Sequence, residues 1–168
     1  MTLLKTLLFT VLVPGAVIVY FPLWLLASQE GGFHLEIGSL WMLGMLPFLI
    51  GVGIYLWCAW HFTFAGQGTP APIDPPKHLV ARGPYRVVRN PMYVGVLTAL
   101  LGEALLFHSL SLVIYAALVF VAVHLFVVFY EEPRLRRQFG ASYQDYCAQV
   151  PRWIPRLSLW RRKRSLAG

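Results

Sequence analysis

Charge is what this sequence has least of. Only 12% of its 168 residues are Asp, Glu, Lys or Arg, while 58% are hydrophobic. A water-facing domain carries roughly 25% charged residues, so soluble, disordered and collagen-like chains are excluded together. Acids are the scarcer sign: seven Asp and Glu stand against fourteen Lys and Arg, a formal net charge of +7. Cysteine is nearly absent. Cys58 and Cys147 form neither a CxxC nor a Cys/His zinc spacing, so both are expected to be reduced and structural, and no metal site is expected. There is no internal repeat and no low-complexity tract. Gly66-Gln67-Gly68 follows no strand and opens no βαβ unit, which excludes a Rossmann-type nucleotide site.

Long apolar runs fill the space that charge leaves. Residues 6–27 make 22 positions without a charge, residues 40–64 make 25 around His61, and residues 110–130 make 21 around His124. Residues 91–107 form a shorter run of 17 that contains Glu103. At about 1.5 Å per residue the three long runs exceed a hydrocarbon core of ~30 Å, and the short one falls slightly under it. Lipid offers no partner to backbone N–H and C=O groups, so each run is expected to be a helix. Pro91 suits a first helical turn, His108-Ser109 a tight hairpin turn, and Pro14-Gly15 and Pro47 are candidate kinks. The first run is too long for a signal peptide, and Leu26-Ala27-Ser28 is a poor cleavage site, so it is expected to be retained.

A pI near 9.8 usually points to nucleic acid, but the positions of the basic residues give a different reason. Lys5 precedes the first run. Lys77, Arg82, Arg86 and Arg89 lie in the 65–90 loop, and nine more follow Glu132, accounting for all fourteen. Residues 28–39 and the 108–109 turn have none. With four spans every basic segment falls on one side, and the positive-inside rule makes that side cytoplasmic. The sequence therefore predicts an all-α integral membrane protein of about four transmembrane helices plus a cytoplasmic interfacial C-terminal helix. It is one integrated domain over 1–168: two helices in 1–64, then a loop, a helical hairpin and a cytoplasmic segment in 65–168. A multi-pass location in the inner membrane, both termini cytoplasmic, follows. The bilayer is the expected partner; nucleic acid is not.

Polar groups collect at the cytoplasmic face. Pro70, Pro72, Pro75, Pro76 and Pro84 give the loop a fixed, extended path. It runs into Arg82, Tyr85, Arg86, Arg89, Asn90 and Tyr93 at the start of the third span. A helix N-terminus with arginines binds carboxylate or phosphate, and tyrosine faces attract a cation, so the cluster suits a small anionic or zwitterionic ligand. A positive-inside anchor with an interfacial aromatic belt explains the Arg and Tyr residues equally well; Asn90 and the proline-rich approach favour a site. Glu131-Glu132 closes the fourth span. Adjacent helical positions point about 100° apart, so one of the two faces a shared pocket while the other meets solvent or the tail arginines. His124, two turns deeper, reads better as a packed residue than as a ligand. Glu103 is either functional or snorkels to the outer surface. Residues 133–150 read as an amphipathic helix presenting Leu135, Phe139, Tyr143, Tyr146 and Val150, with Trp153 and Trp160 at headgroup level. Arg161-Arg162-Lys163-Arg164 reads as an anionic-lipid contact.

Taken in order, Leu79-Val80-x-x-Gly83-Pro84-Tyr85-Arg86-x-x-Arg89-Asn90-Pro91-Met92-Tyr93-x-Gly95, Glu131-Glu132, Phe139-Gly140-x-x-Tyr143-x-x-Tyr146 and Val150-Pro151 resemble the isoprenylcysteine carboxyl methyltransferase family. That family is broad and includes phospholipid methyltransferase-like membrane proteins; the resemblance covers roughly residues 64–156. It implies an enzyme that uses S-adenosylmethionine on an amphiphilic or small methyl acceptor. By position, Lys77, His78, Leu79 and Val80 would wrap the cofactor through their backbone. Tyr85 would join them, and Asn90, Pro91, Met92 and Tyr93 would wall its methionine end. Glu131 would face the cofactor–substrate junction. For the mechanism, the residues themselves offer Glu131 and Arg89 as the catalytic candidates, Arg89 on the cofactor carboxylate, with Glu131 and Glu132 toward the acceptor. Asn90 stands where the family commonly has His, so no general-base role transfers to it. Val127 stands where the eukaryotic prenylcysteine enzymes carry a substrate-binding Arg. A lipid-amine or thiol methyltransferase, and a non-enzymatic protein on the same scaffold, are the alternatives.

Overall fold

The structure is a computed structural model and describes residues 8, 12–28, 41–65, 79 and 81–155. Among them every regular element is a helix. Helix α1 runs Leu12–Ala27, α2 Trp41–Ala65, α3 Pro91–Leu106 and α4 Leu110–Phe126. A wide π-turn, Val127–Glu131, joins α4 to α5, Glu132–Gln149. Two helical stretches are long and apolar enough to cross a membrane, Trp41–His61 and the continuous Leu110–Gln149, while α1 and α3 are shorter apolar helices. Lys5, the 66–76 loop and the 161–164 cluster lie outside the described residues.

Two prolines account for the irregular turns. Proline has no N–H to give the carbonyl four residues back and its ring collides with that carbonyl, so a helix entering a proline tends to widen. Ala16–Tyr20 is a π-turn just ahead of Pro22, closed by Phe21 N–H on Ala16 O. Val127–Glu131 is the same device just ahead of Pro133, closed by Glu132 N–H on Val127 O. Pro47 stays inside an unbroken α2.

Helices α2 and α3 lie antiparallel with their backbones in contact. Gly44 and Gly51 face Gly102 and Gly95: a Cβ at Gly44 would sit 2.5 Å from the Leu106 backbone N, and one at Gly95 would sit 2.8 Å from Gly51 O. Small residues at a seven-residue spacing let two membrane helices approach this closely, where dispersion replaces the hydrophobic effect as the binding force. Ala99 and Leu100 of α3, Tyr55 and Ala59 of α2, Ala116 of α4 and Ile18 of α1 form the shared core. Tyr115 donates its hydroxyl to Val17 O at 3.1 Å, tying α4 to α1.

The α3–α4 hairpin turns at residues 107–109, as the sequence suggests, with His108 in the left-handed region at φ 46°. Glu103 does not snorkel. It is buried, and its Oε2 has no partner among the described residues. Residues 133–150 are not one continuous amphipathic helix either. Gly140 takes φ 54° and ψ −126°, which breaks the helical phase between Phe139 and Tyr143. The second half therefore turns Tyr143 and Val150 into buried positions.

Candidate functional site

The start of α3, the π-turn and the end of α5 meet at one end of the bundle, opposite the His108 turn. Gly83 opens the approach at φ +57°, where a Cβ would lie 2.6 Å from His61 Nε2, so the chain presses directly against the end of α2. Gly83–Arg86 then forms a 3-10 turn that buries Tyr85 beside Cys58, Ile54 and Met92. Tyr146 reaches across from α5 and donates to Tyr85 O at 2.6 Å. Burial pushes the Tyr85 phenol well above its usual range, reinforced by Cys58, Glu131, Tyr146 and Tyr93, so it stays a neutral hydroxyl.

Helix α3 begins at Pro91, with Asn90 as its N-cap but no side-chain cap bond. The first intrahelical bond is Val94 N–H to Asn90 O, at 3.2 Å. Met92 and Tyr93 N–H therefore lack an intrahelical acceptor, the usual condition of a helix start. From the same turn the Tyr93 hydroxyl donates to Glu131 Oε2 at 3.1 Å.

The adjacent carboxylates have opposite surroundings. Glu132 is 5% exposed. It accepts a fork from Arg152, Nε at 2.7 Å and Nη2 at 3.0 Å. Arg89 Nη1 lies 3.1 Å away and the exposed Arg136 3.8 Å. Burial alone would raise the Glu132 carboxyl, but the Arg152 hydrogen bond and the charges of Arg89, Arg152 and Arg136 outweigh it and hold the group below its ordinary range. Arg152 is held above its own, chiefly by that hydrogen bond. Among the described residues Glu131 has Tyr93 instead of an arginine.

Of the sequence-derived candidates, Tyr85, Asn90, Pro91, Met92, Tyr93, Glu131, Glu132 and Arg89 come together here. Leu79 is half-buried, and Lys77, His78 and Val80 lie outside the described residues. Arg82 and Arg86 point outward; only Arg89 of the three turns in. It spends Nη1 on Glu132 and on Cys147 Sγ at 2.8 Å, and its Nε is buried without a partner among the described residues. Both Arg89 and Glu132 are thus engaged with the protein, Glu132 under three cations and not toward open space. His124 is packed: it accepts from Trp153 Nε1 at 3.1 Å beside Phe120. That one of the two carboxylates meets arginines is an expectation of the sequence, and Arg89 and Arg136 do so at Glu132; sequence reasoning missed Arg152 and Cys147. The available signal was Pro151, which ends a helix directly before an arginine.

A helical scaffold with two helices long and apolar enough to cross a membrane, and a polar junction at one end, is the class of protein these features define. The chain belongs to the phospholipid methyltransferase family, whose sequence model matches residues 40–142. It is 31% identical over 123 residues to a nickel-cobalt-cadmium resistance protein, NccN, of Alcaligenes xylosoxydans xylosoxydans, covering 73% of this chain and 53% of that protein. It is 32% identical over 119 residues to a cobalt-zinc-cadmium resistance protein, CzcN, of Cupriavidus metallidurans, covering 71% and 50%. A methanethiol S-methyltransferase of Bradyrhizobium diazoefficiens is 36% identical over 80 residues, covering 46% and 29%. The chain spans about half the length of the first two relatives it matches.

Proposed function

We propose that the protein is an S-adenosylmethionine-dependent methyltransferase that acts in the membrane on an amphiphilic or small acceptor. The observation that carries this reading is the Tyr93–Glu131 hydrogen bond, in a chain of the phospholipid methyltransferase family. Among the described residues Glu131 has no arginine against it, and it stands beside a helix start whose Met92 and Tyr93 N–H groups lack an intrahelical acceptor. Such a donor set fits the cofactor: the Met92 and Tyr93 N–H groups suit a carboxylate, and tyrosines with Glu131 suit a sulfonium. Tyr85, Asn90, Pro91, Met92 and Tyr93 would hold it, completed by Lys77, His78, Leu79 and Val80. When bound, S-adenosylmethionine supplies an electrophilic methyl group.

The chain's own residues do the rest. Tyr93 orients Glu131; Glu131 accepts the proton of a thiol or amine acceptor, whereas a carboxylate acceptor needs no base. Arg89 and Glu132 brace the junction, so most of the rate comes from positioning and fixed charge. In this reading four helices cross the inner membrane with the site on the cytoplasmic side, and the acceptor arrives from lipid between α3 and α4. The S-methyltransferase relative favours a thiol acceptor. Radiolabelled methyl transfer into extracted lipids, added thiols and prenylcysteines tests the reading, with incorporation expected into thiols. No incorporation into any of the three, with no binding of S-adenosylhomocysteine, would refute it.

The two resistance-protein relatives favour a second reading, a non-enzymatic membrane protein that keeps the scaffold. It expects no binding of S-adenosylmethionine or S-adenosylhomocysteine by calorimetry.

A further inference from the structure

Residues 150–153 form a short strap whose successive members each hold a different part of the molecule. Val150 leaves α5 in extended conformation, φ −113° and ψ 124°, and is buried. Pro151 O accepts Arg89 N–H at 2.8 Å. Arg152 O accepts Asn90 Nδ2 at 3.3 Å, while its guanidinium forks onto Glu132. Trp153 is pinned to His124 at 3.1 Å, its ring 5.5 Å from that of Phe120.

An anchor for the segment that follows α5 needs only Trp153. The contacts of Pro151 and Arg152 go elsewhere, to the two residues that launch α3 and to the carboxylate next to Glu131. Asn90 and Arg89 fix where Tyr93 stands, and Glu132 fixes where Glu131 stands. Arg152 touches both sides, through its carbonyl and its side chain, and so reinforces the direct Arg89–Glu132 ion pair from the strap. We propose that Arg152 is a positioning residue, which sets the separation of the Tyr93 and Glu131 walls by bridging Asn90 to Glu132. The proposal rests on the methyltransferase reading. Arg152 does not face reactants, since both its fork nitrogens are taken by Glu132. A lysine cannot replace it, because an ammonium is a point charge without the planar fork.

The test uses the full chain in detergent, with wild type, Arg152→Gln and Arg152→Lys. Affinity for S-adenosylhomocysteine is measured by calorimetry, and amide exchange is followed over residues 87–93 and, as a reference, 112–120. Arg152→Gln is expected to weaken binding at least tenfold and to lose protection over 87–93 while 112–120 keeps its own. Arg152→Lys should fall between it and wild type, and it carries the test should the glutamine variant fail to fold. Binding within twofold of wild type in a folded variant, even one with a lowered melting temperature, would mean the strap is only structural and overturns the proposal. Should wild type itself bind nothing, the methyltransferase reading fails and the positioning role falls with it. Unchanged exchange over 87–93 would overturn the strap on geometry alone.

Discussion

Tyr93 and Glu131 stand 38 positions apart in sequence, yet the phenol donates to the carboxylate at 3.1 Å. The bond spans the first turn of α3 and the last residue of the π-turn. Without the extra residue in that turn, Glu131 would sit about 100° further round the helix.

Tyr93→Phe keeps the ring and removes the donor. A hydrogen bond to a charged group contributes about 1.5–3 kcal/mol. Turnover with the best acceptor should fall roughly ten- to a hundredfold. Glu131→Gln should fall further with a thiol or amine acceptor than with a carboxylate one. Steady-state kinetics across acceptor classes reads the difference.

Glu132→Ala leaves Arg89 and Arg152 facing an apolar gap. Removing one partner of a buried ion pair costs about 3–5 kcal/mol, so denaturant unfolding in detergent should show a loss of that size. Arg136 is the contrasting partner, with its side chain 59% exposed. Arg136→Ala should cost less than about 1 kcal/mol.

The depressed Glu132 carboxyl makes stability pH-dependent in one direction. A folded pKa below the ordinary 4.5 means that the stabilisation is fully present above that value and is lost as pH falls through the folded one. Melting temperature of the wild type should therefore drop in acid more steeply than that of Glu132→Gln. Parallel curves for the two proteins would contradict this.

The glycine seam gives a paired test. A Cβ at Gly51 would meet the Gly95 carbonyl at 2.5 Å, whereas one at Gly53 would meet nothing within 4 Å. Gly51→Ala should destabilise by about 1–3 kcal/mol through overpacking. Gly53→Ala should be neutral or stabilise by up to about 1 kcal/mol through helix propensity. Thermal unfolding of both variants compares them directly.

Helix positions were largely readable in the sequence because each follows from a local cause. Pro91 opens α3, the run at 40–64 becomes Trp41–Ala65, and the turn falls at His108. Pro133 announced the π-turn only in hindsight, since proline's missing donor can be met by a bend, a break or a widened turn. The resemblance drew Tyr93, Asn90 and Glu131 to one place, and the structure has them there. That the two carboxylates divide between a pocket and arginines was readable from helix phase, but the part of Arg152 was not, because it follows the kink at Gly140. No periodicity encodes a kink that one positive φ sets.

The backbone contact between Gly51 and Gly95 has a consequence for traffic in the membrane. Helices that touch main chain to main chain leave no room between them for an acyl chain, or even a methyl group. The α2 side of α3 is thus sealed to anything dissolved in lipid. On the methyltransferase reading, a hydrophobic acceptor bound for Tyr93 would travel along the other flank, where α4 lies against α3 without glycines of its own to draw the backbones together.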